Sequence, residues 1–484
     1  MEIFKNSFFI KQIDKLDIRE DSFIYQSIKS SFFFNMINKF FSFSQKLFGK
    51  ITHNSFFIKK IDHIILFLIT SLLVSLLFAP TKVIGITAGV CFFALLGKLF
   101  FKPGEKLSVN TLDVPLILYI ILVGLSVAFS SMLIPSLKGF AKLMVYICCY
   151  LVFFNVLKNK PYRSFYLIGI IAVTAFVESL TAIYQNFAGV EALATWQDKT
   201  ALNPEQIMTR VYGTLQPYNP NLLAGYLTAA ISSAAGIFFV FVYRKKFGPG
   251  LIAFFAMLTI LAAIVFTGSR GAYVGAGAVL AALVLVSGHI IWHDFSEKLW
   301  LKKLWFYLLF FGILAVMVFV FTSPAIQHRI VSIFNIWGDS SNSFRMNVYI
   351  ATVQMFLDNW LTGIGPGNEV FRLSYGLYMR TGFDSLGAYS VPLEIAVESG
   401  ILAFASFFWF IAAVFIKSTK IIVSNINIEQ KILVSCCLAG IVGIIVHGLV
   451  DTIFFRPQVQ VIFWLLIAVL GANLGFDQKI KNKQ

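Results

Sequence analysis

Five short stretches of this sequence hold residues able to do chemistry. TGSRG at 267–271 and SFRMN at 343–347 place Arg270 and Arg345 beside or between apolar runs. A guanidinium is a planar fork that grips phosphate or carboxylate through paired hydrogen bonds and keeps its charge when partly desolvated. HGLVD at 447–451 puts His447 and Asp451 four residues apart, with Arg456 just beyond. That pattern suits acid/base work and a buried structural network equally. AVESG and the residues before it place Glu394 and Glu398 four apart on one face, and Glu178 is a further isolated carboxylate. Carboxyls inside apolar segments are costly unless they face a cavity or a partner. In YNPNLLAGYL at 218–227, Asn219 and Asn221 stand at the mouth of an apolar run, placed to cap a helix or to touch a sugar.

The elements that must position these residues follow from composition. The 484 residues are 58% hydrophobic and 13% charged, which predicts an all-α polytopic membrane protein rather than a soluble domain. A ruler of roughly 20 apolar residues yields about 12 transmembrane helices, at 63–79, 83–101, 112–133, 139–157, 164–187, 220–243, 249–267, 271–292, 303–322, 387–416, 431–454 and 458–475. With twelve spans, the clusters Lys158/Lys160/Arg163, Arg244/Lys245/Lys246, Lys298/Lys302/Lys303, Lys417/Lys420/Lys431 and Lys479/Lys481/Lys483 all fall on one side. The positive-inside rule makes that side cytoplasmic, together with both termini. Topology thus accounts for the net charge of +16, and no nucleic-acid partner is implied. The expected location is the cytoplasmic (inner) membrane, multi-pass. The five cysteines all lie in spans and read as packing residues. No secretory signal is evident.

Residues 1–60 form a basic, phenylalanine-rich leader, and 61–478 the transmembrane domain. NSFFIKQID at 6–14 recurs as NSFFIKKID at 54–62, and 30–50 is expected to lie as a helix in the cytoplasmic interface of the bilayer.

The topology separates lysine from arginine. Of ten arginines, Arg19, Arg163 and Arg244 are cytoplasmic; Arg210, Arg270, Arg329, Arg345, Arg372, Arg380 and Arg456 are expected outside. Orientation signals use either residue, so the segregation points to an outer anionic ligand with phosphate-like oxygens, or to pairing with Asp339, Asp358 or Asp384. The longest outer loop, 323–386, joins helices 9 and 10 and is longer than a connection needs. Met346, Tyr349, Ile350, Val353, Phe356 and Leu357 recur at helical spacing within it, with Ser341 or Ser343 as the cap and Arg345 near the first turn. LTGIGPGNEVFR at 361–372 is a glycine-rich turn, either only a turn or an anion-binding nest of backbone N–H groups.

Taken together, YNPNLLAGYL, TGSRGAYVG, SFRMNVYIATVQMFLDNWLTGIGPGNEVF, LEIAVESG and HGLVDTIFFRPQ resemble the O-antigen ligase / O-antigen polymerase superfamily, in family order over about residues 215–470. YSVPLEI and HGLVDTIFFRPQVQ look most like its branch labelled inorganic-carbon transporters. The resemblance implies a twelve-helix, type-C glycosyltransferase-like fold. It implies transfer of a glycan from an undecaprenyl-diphosphate carrier to an acceptor glycan or lipid hydroxyl at the outer face, with inversion and without metal or cofactor. It places Arg270 and Arg345 where the family holds the diphosphate, with Arg210, Arg372, Arg456, Asn219 and Asn221 as further substrate-binding candidates. At the position of the ligases' histidine, proposed to activate the acceptor, stands Tyr389, whose phenol titrates near 10 and is a poor base at neutral pH. Glu394, Glu398, His447 and Asp451 are then the candidates for catalytic acid/base work. The alternative is a small-anion, bicarbonate-like transporter; against it stand the absence of an internal repeat and the gathering of charge at one rim rather than the midplane.

Overall fold

The computed structural model describes residues 16–52, 55–190, 210–334, 337, 340–424 and 426–481. The first copy of the repeat, at 6–14, and Asp339 lie outside the described residues. The described residues form helices and no strands. In chain order the helices are α1 (Phe23–Ser30), α2 (Phe32–Thr52), α3 (Phe56–Ser75), α4 (Thr81–Phe101), α5 (Asp113–Phe129), α6 (Leu133–Leu157), α7 (Arg163–Ala188), α8 (Pro220–Tyr243), α9 (Phe247–Phe266) and α10 (Arg270–His293). There follow α11 (Leu299–Thr322), α12 (Pro324–Phe334), α13 (Ser340–Asp358), α14 (Asn368–Tyr375), α15 (Val391–Val423), α16 (Ile428–Gly448), a 3-10 turn at Ile453–Phe455 and α17 (Pro457–Lys481).

Ten of these are long and apolar enough to cross a membrane, which makes the chain a multi-pass membrane protein. The other two of the twelve expected windows fall on apolar helices with a charged start or a shorter length. The window at 63–79 falls on α3, whose first turns carry Lys59, Lys60 and Asp62. The window at 112–133 falls on α5, which has only 17 residues, about 25 Å at 1.5 Å per residue.

The centre of the bundle is α8, α16 and α17. The α17 span is almost wholly buried, and most of α8 and α16 is buried with it. Small residues allow this. A Cβ on Gly236 of α8 would lie 3.2 Å from Cys436 Cβ of α16, and one on Gly440 would meet Ser232 Oγ. With no hydrophobic drive between helices in lipid, such close backbone approach is the main source of cohesion. Four of the five cysteines, Cys91, Cys149, Cys436 and Cys437, are buried, and all five are free thiols. At the other extreme, α11 buries none of its span; its neighbours are α10 and α12.

The two ends of the bundle differ in chemistry. One is built of lysine and arginine paired with acids: Lys98 with Asp62 at 2.9 Å, Lys431 with Asp294 at 2.7 Å and Arg244 with Glu429 at 2.6 Å. The end of the leader joins it. Lys417 and Lys420 of α15 each reach Asp17 at 2.7 Å, and Trp409 Nε1 donates to the Leu16 carbonyl at 2.9 Å. Next along the chain, α2 packs on α4 through Gln45 Nε2, which donates to the Leu99 carbonyl at 2.7 Å. Its Phe32, Phe33, Phe40 and Phe43 stay exposed. The opposite end holds the arginines.

Candidate functional site

Arg210, Arg270, Arg329 and Arg345 enter the arginine end from four separate segments. Arg210 sits on an irregular stretch tied down on several sides. Val211 N–H donates to the Phe266 carbonyl at 3.2 Å. Glu178 of α7 accepts from Thr214 N–H at 2.5 Å and from its hydroxyl at 2.7 Å. Gln185 Oε1 accepts from Gly213 N–H at 2.8 Å. The isolated carboxylate of Glu178 is thus the anchor of the segment that carries Arg210. The Arg210 guanidinium donates through Nε to the Thr267 carbonyl at 2.7 Å and through Nη2 to Asn221 Oδ1 at 2.5 Å. Asn219 is used locally: its side chain caps α8, accepting from Asn221 N–H at 2.8 Å.

TGSRG bridges α9 and α10. Gly268 has φ 61°, a left-handed conformation that favours glycine, and the Arg210 stem passes over it: a Cβ there would lie 3.2 Å from Arg210 Cγ. Arg270 opens α10 and donates to Ser332 Oγ of α12 at 3.0 Å. Arg329, also on α12, is 6% exposed. Asn342, at the start of α13, donates to the Ser332 carbonyl at 2.7 Å, so α10, α12 and α13 meet at one serine.

Arg345 lies in the second turn of α13, between two groups. Its guanidinium is 5.5 Å from the centre of the Tyr389 ring, within cation–π range, and its Nη2 is 3.4 Å from Asp451 Oδ2. Tyr389 has φ 51°, a strained backbone for an aromatic residue, and its carbonyl accepts from the Tyr349 hydroxyl at 3.0 Å. Helix α13 and the turn before α15 are therefore latched together beside Arg345. Burial first, then the nearby Asp451, push the Tyr389 phenol above its ordinary pKa.

Three of these cations act on the fourth. Burial first, then the charges of Arg329, Arg345 and Arg270, push the Arg210 pKa down to about 9, with the Tyr273 phenol acting the other way. Fixed like charges gathered in a poorly solvated place repel, and a multiply charged anion between them relieves that repulsion.

His447 and Asp451 border the cluster. His447 is 4% exposed, its Nε2 finds no hydrogen-bond partner among the described residues, and it packs against Gly271, where a Cβ would be 2.9 Å from His447 Cδ2. It lies in the electrostatic reach of both Asp451 and Arg345. Asp451 Oδ1 accepts from Thr452 N–H at 2.7 Å. A small cavity beside them is lined by Gly225, His447, Asp451 and Phe454.

The remaining candidates stand elsewhere. Glu394 and Glu398, both buried in α15, brace two different loops. Glu394 Oε2 accepts from Ala388 N–H at 2.9 Å, and Glu398 Oε1 accepts from Gly367 N–H at 3.0 Å. Of the two readings of 361–372, these bonds favour the plain turn over the anion-binding nest. Gly363, Gly365 and Gly367 do have φ of 71°, 107° and 121°, but their N–H groups go to Asn359, to the Glu398 carbonyl and to the Glu398 carboxylate. The turn packs on α15 where Gly400, at φ 77°, kinks that helix. Arg372 pairs with Asp384 at 2.8 Å, both half exposed. Arg456 is exposed, and its charge reaches Glu394 and Tyr146. Neither is among the cations that act on Arg210. Helix α13 starts at Ser340, so Ser341 and Ser343 fall inside its first turns rather than capping it.

Sequence reasoning placed Arg329 with the outer arginines but not in the site, because SPAIQHRIVSIF was read as loop. It is α12. Arginine in place of lysine was the signal that marked it.

Residues 255–408 match the family model for O-antigen ligase. The matched segment runs from α9 to the middle of α15 and contains Arg270, Arg329, Arg345, Glu394 and Glu398; Arg210, His447 and Asp451 reach the site from outside it. The match supports a glycan transferase of polysaccharide assembly, acting in a membrane on a lipid-linked substrate and an acceptor. No curated protein matches the chain.

Proposed function

We propose that this protein transfers a glycan from an undecaprenyl-diphosphate carrier to an acceptor hydroxyl, at the outer face of the cytoplasmic membrane, in the building of a surface polysaccharide. In this reading residues 61–478 are the transferase, 323–386 its outer loop, and the lysine end and both termini are cytoplasmic. The observation that carries it is the convergence of Arg270, Arg329 and Arg345, from three segments, within electrostatic reach of Arg210 on a fourth. A diphosphate is the group in such a reaction whose charge and oxygen geometry suit several guanidinium forks at once.

The chemistry follows. As the bond between the anomeric carbon and the diphosphate breaks, negative charge grows on the leaving oxygen. Cations already fixed against that position stabilise the transition state without reorganisation. Attack from the face opposite the leaving group inverts the anomeric centre. Loss of one such partner costs about 3 kcal/mol by analogy with a lost oxyanion donor, or roughly a hundredfold in rate.

The experiment is replacement of the chromosomal copy by Arg270→Lys and by Arg345→Lys. The expected result is loss of surface polymer with build-up of undecaprenyl-linked glycan. Polymer made at the native level by both variants overturns the reading.

A further inference from the structure

Asp451 is the one carboxylate among the candidates that touches an arginine of the cluster, and it does so through a single contact of 3.4 Å rather than a bidentate fork. The pair is secluded, the Arg345 side chain being 16% and the Asp451 side chain 7% exposed. Asp451 Oδ1 is fixed by Thr452 N–H. The Arg345 guanidinium also lies 5.5 Å from the centre of the Tyr389 ring, within cation–π range, so it is held by the ring as well as by the carboxylate.

We propose that Arg345 masks Asp451 as the acceptor's base until a donor diphosphate draws it away. This rests on the diphosphate reading above. A diphosphate offers more charge and more oxygens to Arg345 than one loosely held carboxylate does. As it binds, Arg345 turns to it, and Asp451 Oδ2 loses its cation. The freed carboxylate takes the proton of the acceptor hydroxyl while the hydroxyl oxygen forms a bond to the anomeric carbon. The bond from that carbon to the diphosphate breaks, with its electron pair leaving on the diphosphate, and the proton on Asp451 passes to solvent as Arg345 returns. The base is competent only when a donor is seated, which orders the two substrates: donor first, acceptor second. His447, four residues back on α16, keeps its buried ring in contact with Gly271 beside Arg270 and so couples the two halves of the site.

The test separates masking from a merely structural pair. The full chain is placed in nanodiscs and titrated with inorganic pyrophosphate. Burial taxes both charges, so this single-contact pair has a small net worth, and Asp451→Asn, by releasing Arg345, is expected to tighten pyrophosphate binding about three- to fivefold. In cells the same variant is expected to lose polymer and accumulate lipid-linked glycan, a fall of at least about a hundredfold in transfer. In an Arg345→Lys background Asp451→Asn no longer tightens binding, because the competition it relieves is gone. Asp451→Ser gives a second neutral form should the amide fold poorly. Weaker or unchanged pyrophosphate binding by Asp451→Asn, while Arg270→Lys and Arg345→Lys do weaken it, overturns the masking and leaves the donor site standing. If neither arginine variant alters pyrophosphate binding, the donor site itself falls, and the masking with it.

Discussion

Replacing Gly271 by alanine tests whether close packing beneath TGSRG positions Arg270. A Cβ at 271 would lie 2.9 Å from Cδ2 and 3.1 Å from Nε2 of His447, and 3.1 Å from Val450 Cγ2. Comfortable carbon contacts are about 3.5–4.0 Å, so something must yield by about half an ångström. His447 has little room: its ring is buried, its Cβ is backed by Gly275, where an added Cβ would be 3.0 Å away, and the cavity beside it is small. The strain therefore falls on the start of α10, which carries Arg270. Overpacking costs about 1–3 kcal/mol, and alanine's better helix propensity returns about 1. The net loss of stability is about 0–2 kcal/mol. A catalytic group misplaced by about 1 Å can lose a hundredfold, so transfer is expected to fall about 10- to 100-fold with little loss of folded protein. The assay is surface polymer and lipid-linked glycan in a strain carrying only the variant, with membrane levels measured by immunoblot. Gly277→Ala on the same helix is the control, because nothing lies within 4 Å of its Cβ. Equal activity in the two variants refutes the reasoning.

Tyr389→Phe keeps the ring beneath Arg345 and is expected to hold pyrophosphate as the native protein does; Tyr389→Leu removes a cation–π contact worth about 0.5–1 kcal/mol or more and should weaken binding about threefold, read by titration. Gly400→Ala is expected to abolish membrane-inserted protein: its φ is 77° and a Cβ would press on the Leu361 carbonyl oxygen and lie 3.1 Å from Gly363 N, as an immunoblot of membranes will show. Arg372→Lys should leave polymer unchanged, since Arg372 pairs with Asp384 on an exposed surface, where such pairs are worth little. Burial raises the Asp17 pKa, but hydrogen bonds from Lys417 and Lys420 outweigh it and leave it lowered. Its contribution to holding the leader is therefore complete above the ordinary carboxylate value of about 3.9 and is lost as pH falls through the lowered one; hydrogen exchange at residues 16–18 should stay slow from pH 7 to 5 and quicken toward pH 2.

The spans were legible because lipid demands long apolar helices, and the pattern needs no tertiary knowledge. The pattern is weakest at two windows, where α3 begins with charges and α5 has only 17 residues. Glu394 and Glu398 were legible as a pair on one face. Their partners were not, because Gly367 lies on a separate loop and the bond depends on the kink at Gly400. Arg270, Arg345 and Asp451 could be picked out by type and spacing alone. That Arg345 leans on Asp451 across more than 100 residues, or that Arg329 is buried beside them, depends on how α12 and α13 fold back over the bundle. Local propensity carries no trace of that.

Helix α11, with no buried residue in its span, has a consequence for anyone who purifies this protein. It packs on α10 through Trp305, which donates to Ser287 Oγ at 3.1 Å, and leaves the rest of its surface to lipid, while Arg329 and Ser332 follow from its far end through α12. Bilayer thickness and lateral pressure thus become silent components of the catalytic assembly. A micelle that preserves the central helices intact would still be expected to slacken this arm and blunt turnover.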